Sequence, residues 1–308
     1  MAGVIGEKLG PVLVTGASGF LGAWLCAELL RRGETVHAFD MQDNRDLLAA
    51  LAGAEQAAAI GWTRGDITDA TAVEEVFERS AARSVVHLAA LTIPACRRNP
   101  AKGAAVNILG HIHVLDAAVR RGIDKILYTS SMAAHPRGAL YSPANIYGVT
   151  KRADEDISKV YFLDHGIRSI GLRPNVVYGF GRVGGETAAI TEAVRAAARG
   201  EAYAMPFDGR MCFQYVGEIV EVMLRCMAAE PDRPIVSDVT TRSESIADLV
   251  DAIRKAEPAA RITLSEVQRP APDIVLDDTP LRQLIGDWLA VSLEDGVRLT
   301  LERYRESR

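Results

Sequence analysis

The stretch Val12-Leu-Val-Thr15-Gly16-Ala-Ser-Gly19-Phe-Leu-Gly22 decides the fold of this 308-residue chain. A short apolar run meets glycines at 16, 19 and 22, and a helical pattern then runs from Phe20 to Arg32 and stops at Gly33. That is a strand, a tight turn and a helix with a glycine stop. Glycines in such a turn let the N–H groups at the start of the helix approach pyrophosphate oxygens. The next strand pattern, Thr35-Val-His-Ala-Phe39, ends in Asp40, 18 residues past Gly22. A carboxylate there accepts both hydroxyls of an adenosine ribose and repels a 2′-phosphate, which favours NAD over NADP. Gly16, Ser18, Gly19, Phe20, Leu21, Gly22 and Asp40 are therefore the expected cofactor-binding residues of this turn. The alternative is an ordinary turn followed by a solvated aspartate.

Further apolar runs follow at Ser84-Val-Val-His-Leu-Ala89, Lys125-Ile-Leu-Tyr-Thr-Ser130 and Ile167-Arg-Ser-Ile-Gly-Leu172, with helix patterns at Ala70 to Glu78 and Ala104 to Arg121. Short apolar strands alternating with helices predict an α/β, doubly wound, parallel Rossmann sheet. After residue 172 the order loosens: a Gly-rich turn, a helix at Thr187 to Arg199, a strand near Ile235 to Val239 and a helix at Ser245 to Lys255. The expected division is an NAD-binding domain over 1–174 and a smaller C-terminal substrate-binding lobe over 175–308. Part of the latter, about 211–256, is expected to return to the Rossmann sheet.

Composition excludes several classes. Lys and Arg number 35 against 40 Asp and Glu, a formal net charge of −5, with no basic stripe, which argues against a nucleic-acid partner. No apolar run reaches the length of a membrane span, and the first eight residues lack a charged region followed by a long apolar one, so a cytoplasmic protein is expected. Cys26, Cys96, Cys212 and Cys226 lack CxxC spacing and are expected to be reduced and mostly buried. His111 and His113, two apart on a helix pattern, point in different directions, so no metal is expected. Trp24, Trp62 and Trp288 are expected in packing roles, and the charged end 301–308 as a solvated helix end.

The second chemical signal is Tyr147-Gly-Val-Thr-Lys151, a phenol and an ammonium one helical turn apart on one face. A free phenol is only about one part in a thousand ionised at pH 7, so a tyrosine base needs roughly 4 kcal/mol of help. A neighbouring ammonium, joined by the positive ring of bound NAD, supplies it by favouring phenolate. Tyr141 is the competing phenol, but Asn145 stands four residues on. Ser130 and Ser131 close the fourth clear strand, at the edge where open α/β sheets bind ligands. One hydroxyl would bind the substrate oxygen, and Ser130 is expected to bond backbone.

On these motifs the chain resembles the extended short-chain dehydrogenase/reductases, the group containing sugar-nucleotide epimerases and dehydratases. The resemblance also rests on Gly65-Asp66-Ile67-Thr-Asp69, His87-Leu-Ala-Ala90, Asn107-Ile-Leu-Gly110, Tyr128-Thr-Ser-Ser131, Leu172-Arg-Pro-Asn-Val-Val-Tyr-Gly179, Phe213-Gln-Tyr-Val-Gly-Glu218 and Asp277-Asp-Thr-Pro-Leu-Arg-Gln-Leu-Ile-Gly286. It implies catalytic roles for Ser131, Tyr147 and Lys151, the last two also touching the cofactor. It implies that Asp66 and Ile67 flank adenine, that Leu88, Ala89, Ala90 and Asn107 line the cofactor groove, and that Asn175 and Val176 lie near the nicotinamide. Thr92, Ser131, Met132, Asn175, Thr187, Arg210 and Arg269 would face a sugar-like substrate, and the helix patterns at 104–121 and 153–164 would pair subunits into a homodimer.

The departures from the family pattern narrow the function. Dehydratases of the family carry an acidic residue just after the catalytic hydroxyl, where this chain has Met132 and Ala133. Sugar-nucleotide enzymes of the family usually read Arg-Asp-Phe where this chain reads Met211-Cys212-Phe213, and a diphosphate wants that guanidinium. Arg210 and Arg269 are imperfect substitutes, and the interval from Ser131 to Tyr147 is short. Val183-Gly-Gly-Glu-Thr187 is similar to a segment of short-chain threonine dehydrogenases, and equally reads as a flexible lid turn. Three functions are expected in order: an NAD-dependent dehydrogenase of a secondary alcohol on a sugar or sugar-derived substrate, an NAD-retaining sugar-nucleotide epimerase, and a non-catalytic cofactor sensor. The intact Ser131, Tyr147 and Lys151 argue against the last.

Overall fold

The computed structural model describes residues 9–240, 242–271 and 274–307. Met1–Lys8, Thr241, Pro272–Asp273 and Arg308 lie outside the described residues. In β1 (Val12–Thr15), Val12 and Val14 join one hydrophobic core while Leu13 joins another on the opposite face. A strand covered on both faces needs an unbroken apolar run, and that is what its sequence provides. The chain continues through α1 (Phe20–Arg31), β2 (Val36–Asp40), α2 (Asp46–Ala52), α3 (Ala54–Ala59), β3 (Gly61–Arg64), α4 (Ala70–Ser80) and β4 (Ser84–His87). It then runs through α5 (Ile93–Arg98), α6 (Pro100–Ala104), a π-turn (Ala105–Leu109), α7 (Gly110–Arg121), β5 (Lys125–Thr129), a 3₁₀ turn (Met132–Ala134), α8 (Ile146–His165) and β6 (Arg168–Arg173).

The second half adds β7 (Val176–Tyr178), α9 (Ala189–Arg199), β8 (Ala202–Ala204), β9 (Arg210–Tyr215), α10 (Val216–Ala228) and β10 (Ile235–Asp238). It closes with β11 (Ser243–Ser245), α11 (Ile246–Ala256), β12 (Arg261–Thr263), α12 (Thr279–Ile285) and α13 (Leu293–Glu306). Seven parallel strands form the main sheet in the order β10-β6-β5-β4-β1-β2-β3. The strand order reverses between β1 and β4, which opens a crevice at their carboxyl ends.

Several elements depart from the sequence reading. Of residues 211–256, only Ile235–Asp238 hydrogen-bonds into the main sheet, whereas β9 stands between β11 and β7 in a separate three-stranded sheet. β3 escapes notice because Gly-Trp-Thr-Arg has no apolar run, as suits an edge strand with one neighbour. The C-terminal helix is not wholly solvated: Leu301 and Tyr304 are buried, and the Tyr304 ring meets Phe180 with centroids 4.8 Å apart. The three tryptophans pack as expected, Trp24 bonding the Phe180 carbonyl at 2.9 Å, Trp62 lying under Arg45 and Trp288 bonding Glu218 at 3.1 Å. All four cysteines are buried.

A buried polar cluster ties α8 to the sheet. Arg173 Nε and Nη2 donate to the two oxygens of Glu155, each at 2.6 Å, and Ser130 Oγ donates to Glu155 Oε1 at 2.5 Å. The Ser130 side chain thus serves a carboxylate instead of backbone, because a fully buried acid needs more than one donor. His135 Nε2 lies 2.7 Å from Asp238 Oδ1, and the Asp277 N–H donates to Asp238 Oδ2 at 2.8 Å, extending the cluster from the 3₁₀ turn to the C-terminal segment. Removing one partner of a buried pair leaves the other charge uncompensated. Glu155→Ala is expected to lower the unfolding free energy by about 3–5 kcal/mol, against less than about 1 kcal/mol for breaking the exposed Arg298–Glu302 pair, as read from urea unfolding.

Candidate functional site

The glycine turn has no room for side chains. A Cβ on Gly16 would lie 2.6 Å from the Ala89 nitrogen, and one on Gly22 would lie 2.2 Å from the Gly16 carbonyl oxygen. Gly16 also has φ of +73°, which disfavours any L side chain. Gly19 caps α1 without a side-chain bond, and the first turn carries no acidic residue, so the orphan N–H groups of Phe20, Leu21 and Gly22 are left for an anion. Asp40 closes β2 with its carboxylate held by the Ser18 N–H at 3.0 Å and the Gln42 N–H at 3.2 Å. The turn and the carboxylate are one unit. These residues fit a dinucleotide: a helix N-terminus cleared for pyrophosphate beside an oriented carboxylate for a ribose.

The far wall of the crevice starts at the end of β4. Thr15 Oγ1 accepts the Leu88 and Ala89 N–H groups at 3.2 and 3.3 Å, joining β1 to the segment of Leu88, Ala89 and Ala90. Asn107 was expected in the groove lining, but its amide is consumed internally. Its Oδ1 accepts the Leu91 N–H at 2.7 Å, and its Nδ2 donates to the Leu91 carbonyl at 3.1 Å and to Thr150 Oγ1 at 2.9 Å. It braces the wall against α8, using the π-turn that carries it. Asp66 Oδ1 is likewise engaged by Thr68, while Ile67 is buried against Gly110 and Val176 is buried in β7. Thr92 is exposed at the start of α5.

α8, whose first turn carries Tyr147, seats on the 3₁₀ turn that follows Ser131. A Cβ on Gly148 would lie 2.1 Å from the Ala133 carbonyl oxygen, so only glycine allows this approach. Asn145 caps α8 by accepting the Gly148 N–H at 2.9 Å. Ser131 Oγ accepts the Ala133 N–H at 3.1 Å, which leaves its own hydrogen to donate. Tyr147 is half-buried, and Lys151 is buried with its Nζ 3.3 Å from Asp154. Tyr141, the competing phenol, is 81% exposed at the tip of a hairpin and takes no part. His111 meets Ser158 and His113 meets the Ile67 carbonyl, so the two imidazoles serve different partners.

Sequence reading named Arg269 but missed Arg137 and Arg182, which lie in the same region. Arg182 is near enough to Tyr147 for their charges to interact, and it donates to the Val177 and Gly184 carbonyls and, at 2.7 Å, to Thr187 Oγ1. Burial lowers its guanidinium to about 10. Arg137 donates to the Met132 carbonyl at 3.2 Å, has its buried Nε without a partner, and is lowered by burial and by the charge of Arg269. Arg97 and Arg269 share the carboxylate of Glu186, at 3.0 and 3.5 Å. Among the described residues, no carboxylate pairs with Arg137 or Arg182. Arg137 and Arg182 bond groups within five residues of themselves, whereas the Glu186 pairs with Arg97 and Arg269 join segments far apart in the chain. Arg210, by contrast, bonds the Ser243 carbonyl at 2.7 Å and faces Asp248. The backbone N–H of Asn175 is held by Gln214 at 2.7 Å, with its side chain half-buried. Because Asp40 both braces the turn and would accept the ribose, Asp40→Ala is expected to weaken NAD at least about tenfold and NADP far less, as read by calorimetry.

No helix among the described residues is long and apolar enough to cross a membrane. The sequence profile of the NAD dependent epimerase/dehydratase family matches residues 12–237. UDP-glucuronate 4-epimerase 3 of Arabidopsis thaliana is 32% identical over 184 residues, covering 54% of this chain but only 42% of that protein, so the chain spans less than half the length of this relative. The fold is also that of L-threonine dehydrogenase from Clostridium difficile, with TM-score 0.84 and 20% identity over 98% of this chain and 99% of that one. UDP-glucose 4-epimerase from Thermus thermophilus, solved with NAD, gives TM-score 0.78 and 23% identity over 96% and 99%. With its glycine turn, its aspartate and its tyrosine–lysine helix set at one sheet edge, the chain belongs to the NAD dependent epimerase/dehydratase family.

Proposed function

We propose that this protein is an NAD-dependent oxidoreductase that oxidises a secondary alcohol on a small, anionic, sugar-derived substrate. The observation that carries this reading is the uncompensated positive charge near the proposed catalytic pair: Arg182, within charge-interaction range of Tyr147, and Arg137 on the carbonyl of Met132 next to Ser131. A half-buried guanidinium without a carboxylate is costly until an anion arrives, and two of them flanking the reacting group select a substrate that brings one. Met211, where a diphosphate-binding arginine is usual, supports a substrate smaller than a sugar nucleotide.

In this mechanism the Tyr147 oxygen takes the hydroxyl proton, and Lys151 favours the phenolate through its charge. The Ser131 hydroxyl donates to the substrate oxygen and fixes it during transfer. The glycine turn, Asp40 and Lys151 would hold NAD, which would supply the hydride acceptor. Arg137 and Arg182 orient the anionic end and so aim the carbinol at Tyr147. A homodimer through α7 and α8 belongs to the same proposal, supported by the exposed Val160 and Leu163 on α8 and Leu109 before α7. Four buried thiols support a reducing, cytoplasmic setting.

A second reading is an NAD-retaining sugar-nucleotide epimerase, favoured by the 32% identity to a UDP-glucuronate 4-epimerase. Purified protein given NAD and a panel of sugar acids, polyols and UDP-sugars separates the two. Net NADH release with acidic alcohols is expected; epimer formation without it overturns the dehydrogenase reading. Tyr147→Phe is expected to lower kcat by about 100-fold or more with NAD binding retained, and retained turnover would remove Tyr147 from its role. Arg137→Met should raise KM about tenfold for acids and leave neutral polyols unchanged.

A further inference from the structure

Tyr147, Lys151, Asp154 and Ser158 are spaced by four, three and four residues, which makes one stripe along α8. Asp154 is the member for which the proposed chemistry has no use. Its Oδ2 lies 3.3 Å from Lys151 Nζ, with the two side chains 1% and 4% exposed. Its Oδ1 is buried and has no hydrogen-bond partner, an expensive state for an ionised carboxylate.

We infer that Asp154 is a positioning residue that sets how much of the Lys151 charge reaches Tyr147. Ionised, it holds the ammonium in an ion pair and offsets its field at the phenol. Protonated, it leaves the whole charge to favour phenolate. The other ionisable groups packed around the pair are committed elsewhere or held neutral. Glu155 on α8 is taken up by Arg173 and Ser130. His111 on α7 is lowered to about 3 by burial first and by Lys151 second, and His87 on β4 is lowered well below its usual value by burial first, then by His111 and Lys151. Burial raises Tyr128 on β5 and Cys96 on α5, so both stay protonated. Asp154 is raised by burial, against the pull of Lys151, to about 7, where a small change of pH alters its charge.

The inference rests on Tyr147 and Lys151 as the acid–base pair, and its test keeps the two apart. In cofactor-free protein, the ultraviolet phenolate signal that disappears in Tyr147→Phe reports Tyr147 alone. Asp154→Asn is expected to move that signal to lower pH by about one unit, and to move the acidic limb of the kcat/KM profile the same way, with Asp154→Glu restoring both. Lys151→Met is expected to move the signal to higher pH. A folded Asp154→Asn that leaves the signal in place while Lys151→Met shifts it overturns the role of Asp154 only. No shift in Lys151→Met overturns the acid–base pair itself. Should Asp154→Asn not fold, the wild-type infrared spectrum decides: a buried carboxyl band that titrates near neutral pH is expected, and its absence overturns the inference.

Discussion

Nothing larger than hydrogen fits between the first turn of α8 and the carbonyl of Ala133, and the rest of the site depends on that contact. Gly148 satisfies it, so the helix carrying Tyr147 and Lys151 rests directly on the turn that follows Ser131. The hydroxyl, the phenol and the ammonium are then fixed by backbone packing instead of by flexible side chains, which is how a reacting geometry is held without an entropic cost at each turnover. The Glu155–Arg173 pair locks the same helix to β6 from behind. The helix carrying Tyr147 and Lys151 is therefore tied to the sheet through a buried ion pair.

Around this rigid centre the electrostatics are unbalanced in a useful direction. The chain as a whole is acidic, yet guanidinium groups gather at the mouth of the site and share few carboxylates there. In a partly buried setting such charges act over longer distances than on the open surface, because less water screens them. A negatively charged substrate would be drawn in and oriented by the same groups, while the helix N-terminus at Gly19 draws a pyrophosphate on the opposite side. Lys151 stands between these two anion-seeking regions with a carboxylate of its own, so its influence on the phenol is adjustable rather than fixed.

Much of this was legible in the chain because it is written locally. The strand–glycine–helix unit, Asp40 at the end of the second strand, and the tyrosine and lysine four apart are short-range patterns whose meaning depends on a few neighbouring residues. Elements without a local signature were passed over: β3 is an edge strand with no apolar run, and α2 and α3 are short alanine-rich turns of helix separated by Gly53. Two side chains were given to the wrong partner for the same reason. Ser130 sits in a motif, but its bond goes to Glu155, 25 residues on, and Asn107 sits in another, but its amide is absorbed by Leu91 and Thr150.

Periodicity and glycine spacing by themselves determined the doubly wound sheet and the dinucleotide turn, and pointed to Tyr147 and Lys151 as the proposed acid–base pair, since each follows from backbone geometry over fewer than thirty or so residues. Only the folded chain decided which charges meet. Arg137, Arg182 and Arg269 come from three separate segments, and the pairing of Asp154 with Lys151 gains its force from burial on all sides, including α7 and β4. Spacing along a chain specifies which way a side chain leaves the backbone; it does not specify what lies opposite, nor how much water is left between them, and those two quantities set the strength of every charge in this site.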